Sequence, residues 1–362
     1  MIENYQPKMT NYLVNNTDLF KKRKVVIVDV GARYGCNPLW ENAFGDNVEQ
    51  IGFEPDPEEF KRLNEGKAKR NTKNSKYYPV ALHKDKGKKE FFVTNYPAAS
   101  GFYKPNTFFW NRLQGEVSVE INDTILIETI DFDSFSAEQG IEYVDFFKID
   151  VEGAELDVLK GCKNLLLQGE VLGALVEIRF QDSSNQPTFA DTDKFMTSLG
   201  FKLFDLEYAR KTRKALSHAP FTLNDKVVAW GIDKDIGQVY AGDALYLRDA
   251  FAELKNNDIN NNWDDNSILK LACFYEIFGL PDCAIELLQF ARKKNYLKKL
   301  NIDYLTELLT PEYDGKKVTY NEYIAKLNSE YKNKVDDLYK VKISTIILGI
   351  LRDIKLIIKR LF

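Results

Sequence analysis

The sequence predicts an α/β fold, a doubly wound and mostly parallel sheet followed by a smaller all-α domain. Three observations carry this expectation. Strand-like runs alternate with helical patterns through the first two thirds of the chain, as they do in βαβ units. The first run, VVIVDV at 25–30, reads as a buried strand and leads into a glycine-bearing loop, GARYG. After about residue 237 the apolar residues fall at helical spacing.

In chain order, strands are expected at 25–30, 49–54, 77–81, 144–149, 171–178, 201–206 and 226–231, each a short run rich in β-branched or aromatic residues. Helices are expected at 57–66, 153–167 and 190–199. Residues 96–130 break the rhythm. There an aromatic cluster (Phe102, Tyr103, Phe108, Phe109, Trp110) precedes alternating strand patterns, and the segment reads as an insertion lying over the strand ends. Beyond 237, DALYLRDAFAELKNN and SILKLACFYEIFGLPDCAIELLQFARKKN read as helices, with Gly279 and Pro281 splitting the second into a hairpin. The expected domains are 1–236, a helical accessory module at 237–340 and a basic amphipathic helix at 341–362.

A chain of 362 residues with 44% apolar and 13% aromatic content supports one large core and a smaller one. The net charge of −4 gives no reason to expect nucleic acid as a partner. Cys36, Cys162, Cys273 and Cys283 form no CxxC pair, which suits reduced thiols in a cytoplasmic protein. Only two histidines occur, His83 and His218, which disfavours a zinc site or a histidine-based nucleophile triad. The N-terminal stretch has no apolar signal core, and no uninterrupted apolar run reaches the roughly 18 residues a membrane span needs.

Ligands of a parallel sheet sit outside the carboxyl ends of its strands. Asp29, Glu54 and Asp150 occupy three such ends, with Glu152 just beyond and Glu177 near a fourth. Glu54 is placed to accept hydrogen bonds from the two hydroxyls of a ribose. Asp29 would repel a dinucleotide pyrophosphate, which would lie on the glycine turn and the helix N-terminus. S-adenosylmethionine suits both acids. It brings a ribose for Glu54, an ammonium for the carboxylates, a sulfonium that acids stabilise and a carboxylate for the loop amides.

VDVGARYG (28–35), IGFEPDPEEFKRL (51–63), VALHKDKG (80–87), ETIDFDSF (128–135) and above all VDFFKIDVEGAELDVLKG (144–161) resemble the FkbM-type S-adenosylmethionine-dependent methyltransferases, over roughly residues 25–232. The resemblance implies a class I methyltransferase-like sheet of seven strands, one antiparallel. It also implies S-adenosyl-L-methionine as cofactor and a hydroxyl acceptor on a sugar or other secondary metabolite. By the same resemblance Asp29, Gly31, Ala32 and Gly35 form the first cofactor loop. Glu54 holds the ribose, with Pro55 and Asp56 shaping the turn beside adenine and Ala81 and Leu82 flanking it. Asp150 lies beside the methionine portion, Glu152 opens the next helix and Glu177 ends its strand near the acceptor. Arg33 stands where the family commonly has a small polar residue, and is expected to brace the cofactor carboxylate.

Methyl transfer requires an oxygen in line with the sulfonium methyl and removal of the hydroxyl proton. Holding the pair in near-attack geometry contributes on the order of 7–11 kcal/mol, and a positioned base adds roughly 10²–10⁴-fold. The candidate bases are Asp150, Glu152 and Glu177, in that order. Glu155 reads as a residue favouring the helix dipole, and His83 as a surface residue at a strand end. The aromatic cluster reads either as core under the insertion or as a platform for a sugar ring. No resident metal is expected, although Asp150, Glu177 and Asp182 are oxygen donors of the kind Mg²⁺ prefers.

In VKISTIILGILRDIKLIIKRLF (341–362), apolar positions line one helical face and Arg352, Lys355 and Lys359 another. Such a helix lies in an anionic membrane interface, on the inner face of the cytoplasmic membrane, or packs on protein. The preferred reading is methylation of a hydroxyl in a glycan or glycolipid precursor. Two alternatives stay open: a silent cofactor-binding scaffold that recruits glycan-assembly enzymes through the helical module, and an NAD-dependent oxidoreductase. Asp29 and the missing G-x-G-x-x-G oppose the latter.

Overall fold

A computed structural model describes residues 7–70, 72–113, 119–181, 185–216, 222–223, 226–227, 232–233, 237–256 and 263–334. The expected helix at 341–362, Asp182, His218 and positions 228–231 of the expected last strand lie outside the described residues. The chain divides into two compact units, 1–298 and 299–362.

The first unit is built on strands β1 (Val25–Val30), β2 (Val48–Phe53), β3 (Ser75–Tyr78), β4 (Ala81–Leu82), β5 (Gly87–Thr94), β6 (Ile121–Ile130), β7 (Phe146–Ile149), β8 (Gly173–Arg179) and β9 (Lys202–Lys211), followed by β10 (Thr222–Leu223), β11 (Lys226–Val227), β12 (Ile232–Asp233) and β13 (Gln238–Leu247). The main sheet has the order β12-β9-β13-β8-β7-β1-β2-β3. Strands β3, β2, β1, β7 and β8 run parallel, while β13 is antiparallel to both β8 and β9. This is the class I methyltransferase arrangement of seven strands, with the two-residue β12 added at its edge. All of β1 is buried, which is why its sequence is an unbroken apolar run with one acid at its carboxyl end. Helices Phe132–Gln139, Glu155–Gly161, Lys163–Leu167 and Phe189–Ser198 cover one set of core side chains that includes Phe53, Phe132, Phe147, Ile149 and Met196.

Residues 238–247 overturn the expectation that the chain is helical after 237. QVYAGDALYL is a ten-residue strand inside the sheet. Its neighbours cover both edges and the layers bury much of both faces, so alternation of polar and apolar residues is lost and its Ala and Leu content mimics a helix. The expected strand at 226–231 is represented by β11, which pairs with β10 in a separate two-stranded ribbon.

Nor does the helical segment after β13 form a module apart. Helix Asp265–Ile277 is almost wholly buried against the sheet unit. Lys270 Nζ reaches both Asp145 carboxylate oxygens at 2.9 and 2.8 Å and the Lys24 carbonyl at 2.7 Å. The Glu276 carboxylate accepts from the Met9 and Thr10 amides, each at 2.8 Å. Trp40, Phe146 and Phe274 pack ring to ring between these layers. A boundary at 237 therefore cuts through the core, and residues up to 298 belong to the first unit. In the second unit, the Asn301 side chain caps helix Ile302–Leu309, and residues 320–334 are helical. Among the described residues no helix is long and apolar enough to cross a membrane.

Candidate active site

The carboxyl ends of β2, β1, β7 and β8 lie side by side, and each delivers an acid. Asp29 is fixed by the register of β1 against β7, where it faces Lys148. Lys148 Nζ lies 3.5 Å from Asp29 and 3.1 Å from Asp150, so one cation serves two carboxylates. Burial pushes the Asp29 carboxyl up despite Lys148. Burial also opposes ionisation of Asp150, yet the adjacent Lys148 ammonium outweighs it and holds this carboxyl below its ordinary value.

Gly31 follows β1 with φ +87°, and a Cβ there would meet the Asp150 carbonyl oxygen at 1.9 Å. The turn is thus built to press its backbone onto the end of β7. Its amides are not left open: Gly31 and Ala32 both donate to the Phe53 carbonyl at 3.1 and 3.0 Å, and Gly35 donates to Ala32. The expectation that these amides receive a carboxylate is corrected by that pairing. Arg33 likewise does not stand open for a carboxylate, because its Nη1 lies 3.2 Å from Asp56.

Glu54 follows β2 and is buried. Its Oε1 accepts from the Asp56 amide at 2.8 Å across Pro55, and Asp56 in turn caps helix Pro57–Asn64. Burial raises the Glu54 pKa to about 7. Ala81 and Leu82 are not brought to this cluster. They form β4, pair with β6 in a second sheet, and are buried, Leu82 within the core. The end of β3 is instead Tyr78, whose carbonyl accepts from the Glu54 amide.

Beyond β7, the loop Val151–Gly153 carries Glu152 at φ +58°, a left-handed conformation a non-glycine residue adopts only under constraint. Glu155 supplies the constraint: its Oε1 accepts from the Val151 and Gly153 amides at 3.0 and 2.9 Å. So Glu155 positions Glu152, where only a helix-dipole role was expected. Asp150, Glu152 and Glu177 present oxygens within 4.8 Å of one another. Arg179, 7% exposed, joins this group, with Nη2 donating to Glu152 at 2.8 Å and Nη1 to Glu177 at 2.7 Å. Burial, with the neighbouring acids, still raises Glu152 to about 7 and pushes Glu177 well above its ordinary value despite Arg179. The Glu152 side chain keeps 31% exposure, so it can meet a ligand.

The insertion closes over this end of the sheet. Gly101 lies against the backbone of Glu152, where a Cβ would come within 3.2 Å of its carbonyl. The Tyr103 hydroxyl donates to Asp157 at 2.8 Å. His83 is buried, 3.5 Å from Asp157 and edge-on to Phe102, and not the surface residue expected.

Residues 29–203 match the methyltransferase FkbM domain. The match supports the FkbM resemblance over this stretch. The 2-O-methyltransferase NoeI of Sinorhizobium fredii (strain NBRC 101917 / NGR234) is 26% identical over 159 residues, which is 41% of this chain and 61% of NoeI, less than two thirds of that relative. Solved structures that match include the fibrillarin/Nop5p complex, at 11% identity and a TM-score of 0.30 over 62% of this chain and 73% of that one. A TehB-like SAM-dependent methyltransferase from Corynebacterium glutamicum matches at 11% identity and a TM-score of 0.27 over 68% and 97%.

Within the matched stretch, the sequence analysis missed Lys148 and Arg179. Both had a signal. Each lies two positions from a chosen acid, Lys148 before Asp150 at the end of β7 and Arg179 after Glu177 on β8, a spacing that returns the side chain to the same face of an extended chain. Tyr240 and Asp243 lie on β13, beyond the matched stretch. Asp243 pairs with Glu177 across the sheet, and burial raises it to about 6.

Proposed function

We propose that this protein is an S-adenosylmethionine-dependent O-methyltransferase whose acceptor is a hydroxyl of a glycan or glycolipid precursor. One observation carries the reading: four neighbouring strands bring Asp29, Glu54, Asp150, Glu152 and Glu177 together around a glycine turn. The site suits a cation with a ribose. Among the described residues Asp29 Oδ1 and Glu177 Oε2 are buried without hydrogen-bond partners, Asp29 Oδ1 lying 3.5 Å from the Lys148 ammonium, and Glu54 is a buried acceptor at the end of β2. In this reading Glu54 binds the ribose hydroxyls, and Asp29 and Asp150 face the cationic amino-acid end. The cofactor's carboxylate is not met by the Gly31 and Ala32 amides, which Phe53 occupies.

When bound, S-adenosylmethionine supplies an electrophilic methyl group on sulfur. The protein's task is to align the acceptor oxygen and take its proton. Glu152 is the base this geometry favours, ahead of Asp150. Its value of about 7 matches neutral pH, whereas Lys148 holds Asp150 ionised and makes it a weak base. Arg179 keeps one Glu152 oxygen in place while the other takes the proton. The name of NoeI, a 2-O-methyltransferase, supports transfer to oxygen, and the aromatic residues of the insertion suit the face of a sugar ring.

The test is incubation of the protein with S-adenosylmethionine and cell-envelope glycan fractions. A product heavier by one methylene unit, lost in Glu152→Gln, supports the reading; failure to bind the cofactor at all defeats it.

A further inference from the structure

A second group of side chains adjoins the acids and is of the opposite sign. Residues 108–113, FFWNRL, are joined to 209–214, ARKTRK, by the Leu113–Arg213 bridge and by the Lys214 amide donating to the Arg112 carbonyl at 2.9 Å. These two segments hold Arg112, Arg210, Lys211, Arg213 and Lys214 and no acid, in a chain whose net charge is −4. They connect to the acids through successive contacts. Arg179, bonded to Glu152 and Glu177, lies 5.4 Å over the Tyr240 ring. Lys211 Nζ is 4.8 Å from that ring and 5.2 Å from Trp110. Phe109 stacks on Tyr240, and the Arg213 guanidinium lies 5.2 Å over Phe109.

Cation–π contacts explain why a cation sits on each ring. They do not account for Arg213 Nη1, which is buried with no hydrogen-bond partner among the described residues while its Nη2 donates to Gln238, or for the like charge of Arg112 beside it. Two neighbouring guanidiniums, one with an unmet donor among the described residues, are an arrangement that an oxyanion satisfies, because guanidiniums match phosphate and carboxylate geometry. The neighbouring Trp110 ring, only partly buried where it packs on the buried Tyr240, suits the apolar face of a sugar.

We propose that Arg112 and Arg213, with Trp110, form an acceptor subsite for an oxyanion, so that the acceptor is an anionic sugar whose hydroxyl reaches Glu152. The subsite rests on the methyl-transfer reading for its role. The shared chemistry is an oxyanion on a sugar, carried as a phosphate ester or as a ring carboxylate.

Calorimetry on the full chain saturated with S-adenosylhomocysteine tests this with three probes: glucose 1-phosphate, glucuronate and neutral methyl glucoside. At least one charged probe should bind roughly tenfold or more tighter than the neutral one, consistent with a charge-assisted hydrogen bond. Which charged probe wins separates phosphate from carboxylate, and added salt should narrow the gap. The double variant Arg112→Gln/Arg213→Gln should bind all three alike, with S-adenosylhomocysteine affinity unchanged as the control for folding. Equal binding of charged and neutral probes, binding of none, or discrimination that survives the double variant overturns the subsite. If S-adenosylhomocysteine itself fails to bind while the charged probes still discriminate, the methyl-transfer reading fails and the anion site stands alone.

Discussion

Replacing Glu54 with Gln should weaken S-adenosylmethionine binding and remove its pH dependence. Gln keeps the size of Glu and retains a carbonyl oxygen for the Asp56 amide, which Glu54 Oε1 now accepts at 2.8 Å. What it loses is the charge offered to the two ribose hydroxyls. Hydrogen bonds to a charged group contribute about 1.5–3 kcal/mol, so affinity should fall roughly ten- to a hundredfold at alkaline pH. The wild-type carboxyl titrates at about 7 because it is buried. Its charged form is the one that binds, so affinity is full above that value and is lost as pH falls through it. Between about pH 8 and about pH 6 the ionised fraction drops nearly tenfold, and wild-type affinity should follow. Binding at about pH 7 should release roughly half a proton, visible as a dependence of calorimetric heat on the buffer. Titration calorimetry of both proteins at the two pH values checks this. A Gln variant that binds as tightly as wild type, or a wild-type affinity flat across this range, would refute the assignment of Glu54 to the ribose.

Other substitutions separate roles within the acid cluster. Glu152→Gln should lower turnover roughly 10²–10⁴-fold and abolish the acid limb of the pH–rate profile near 7, while Asp150→Asn should leave that limb in place; steady-state kinetics across pH distinguish them. Gly31→Ala should destabilise the domain by about 1–3 kcal/mol and abolish cofactor binding, since it places a Cβ on the Asp150 carbonyl at a positive φ; thermal unfolding and calorimetry read both effects. Deleting 341–362, read from sequence as a basic amphipathic helix, should release the protein from anionic vesicles at low salt, each basic residue contributing about 1 kcal/mol, and spare cofactor affinity; co-sedimentation checks it.

Much of this arrangement was legible in the chain. Strand β1 has the expected bounds of 25–30, and the acids at 29, 54, 150, 152 and 177 were found because parallel strands concentrate function at their carboxyl ends. What was not legible depends on pairing across the sheet. Lys148 matters because register sets it against Asp29, and Arg179 because it bridges a loop residue to its own strand. Strand β13 hid because a strand flanked and covered in the sheet loses its alternation. Ala81 and Leu82 were misplaced because the chain leaves β3 at Tyr78 for a second sheet, a change of partner that no local pattern announces.

Methyl transfer from S-adenosylmethionine to an acceptor hydroxyl leaves an isotopic signature on the product. Its most direct test is mass spectrometry of glycan fractions incubated with the protein and a cofactor whose methyl group is deuterated. The acceptor should gain one methyl carrying all the donor's deuterium, on oxygen, with the signal lost in Glu152→Gln. Unlabelled acceptors alongside intact cofactor binding, or label transferred equally well by Glu152→Gln, would contradict it.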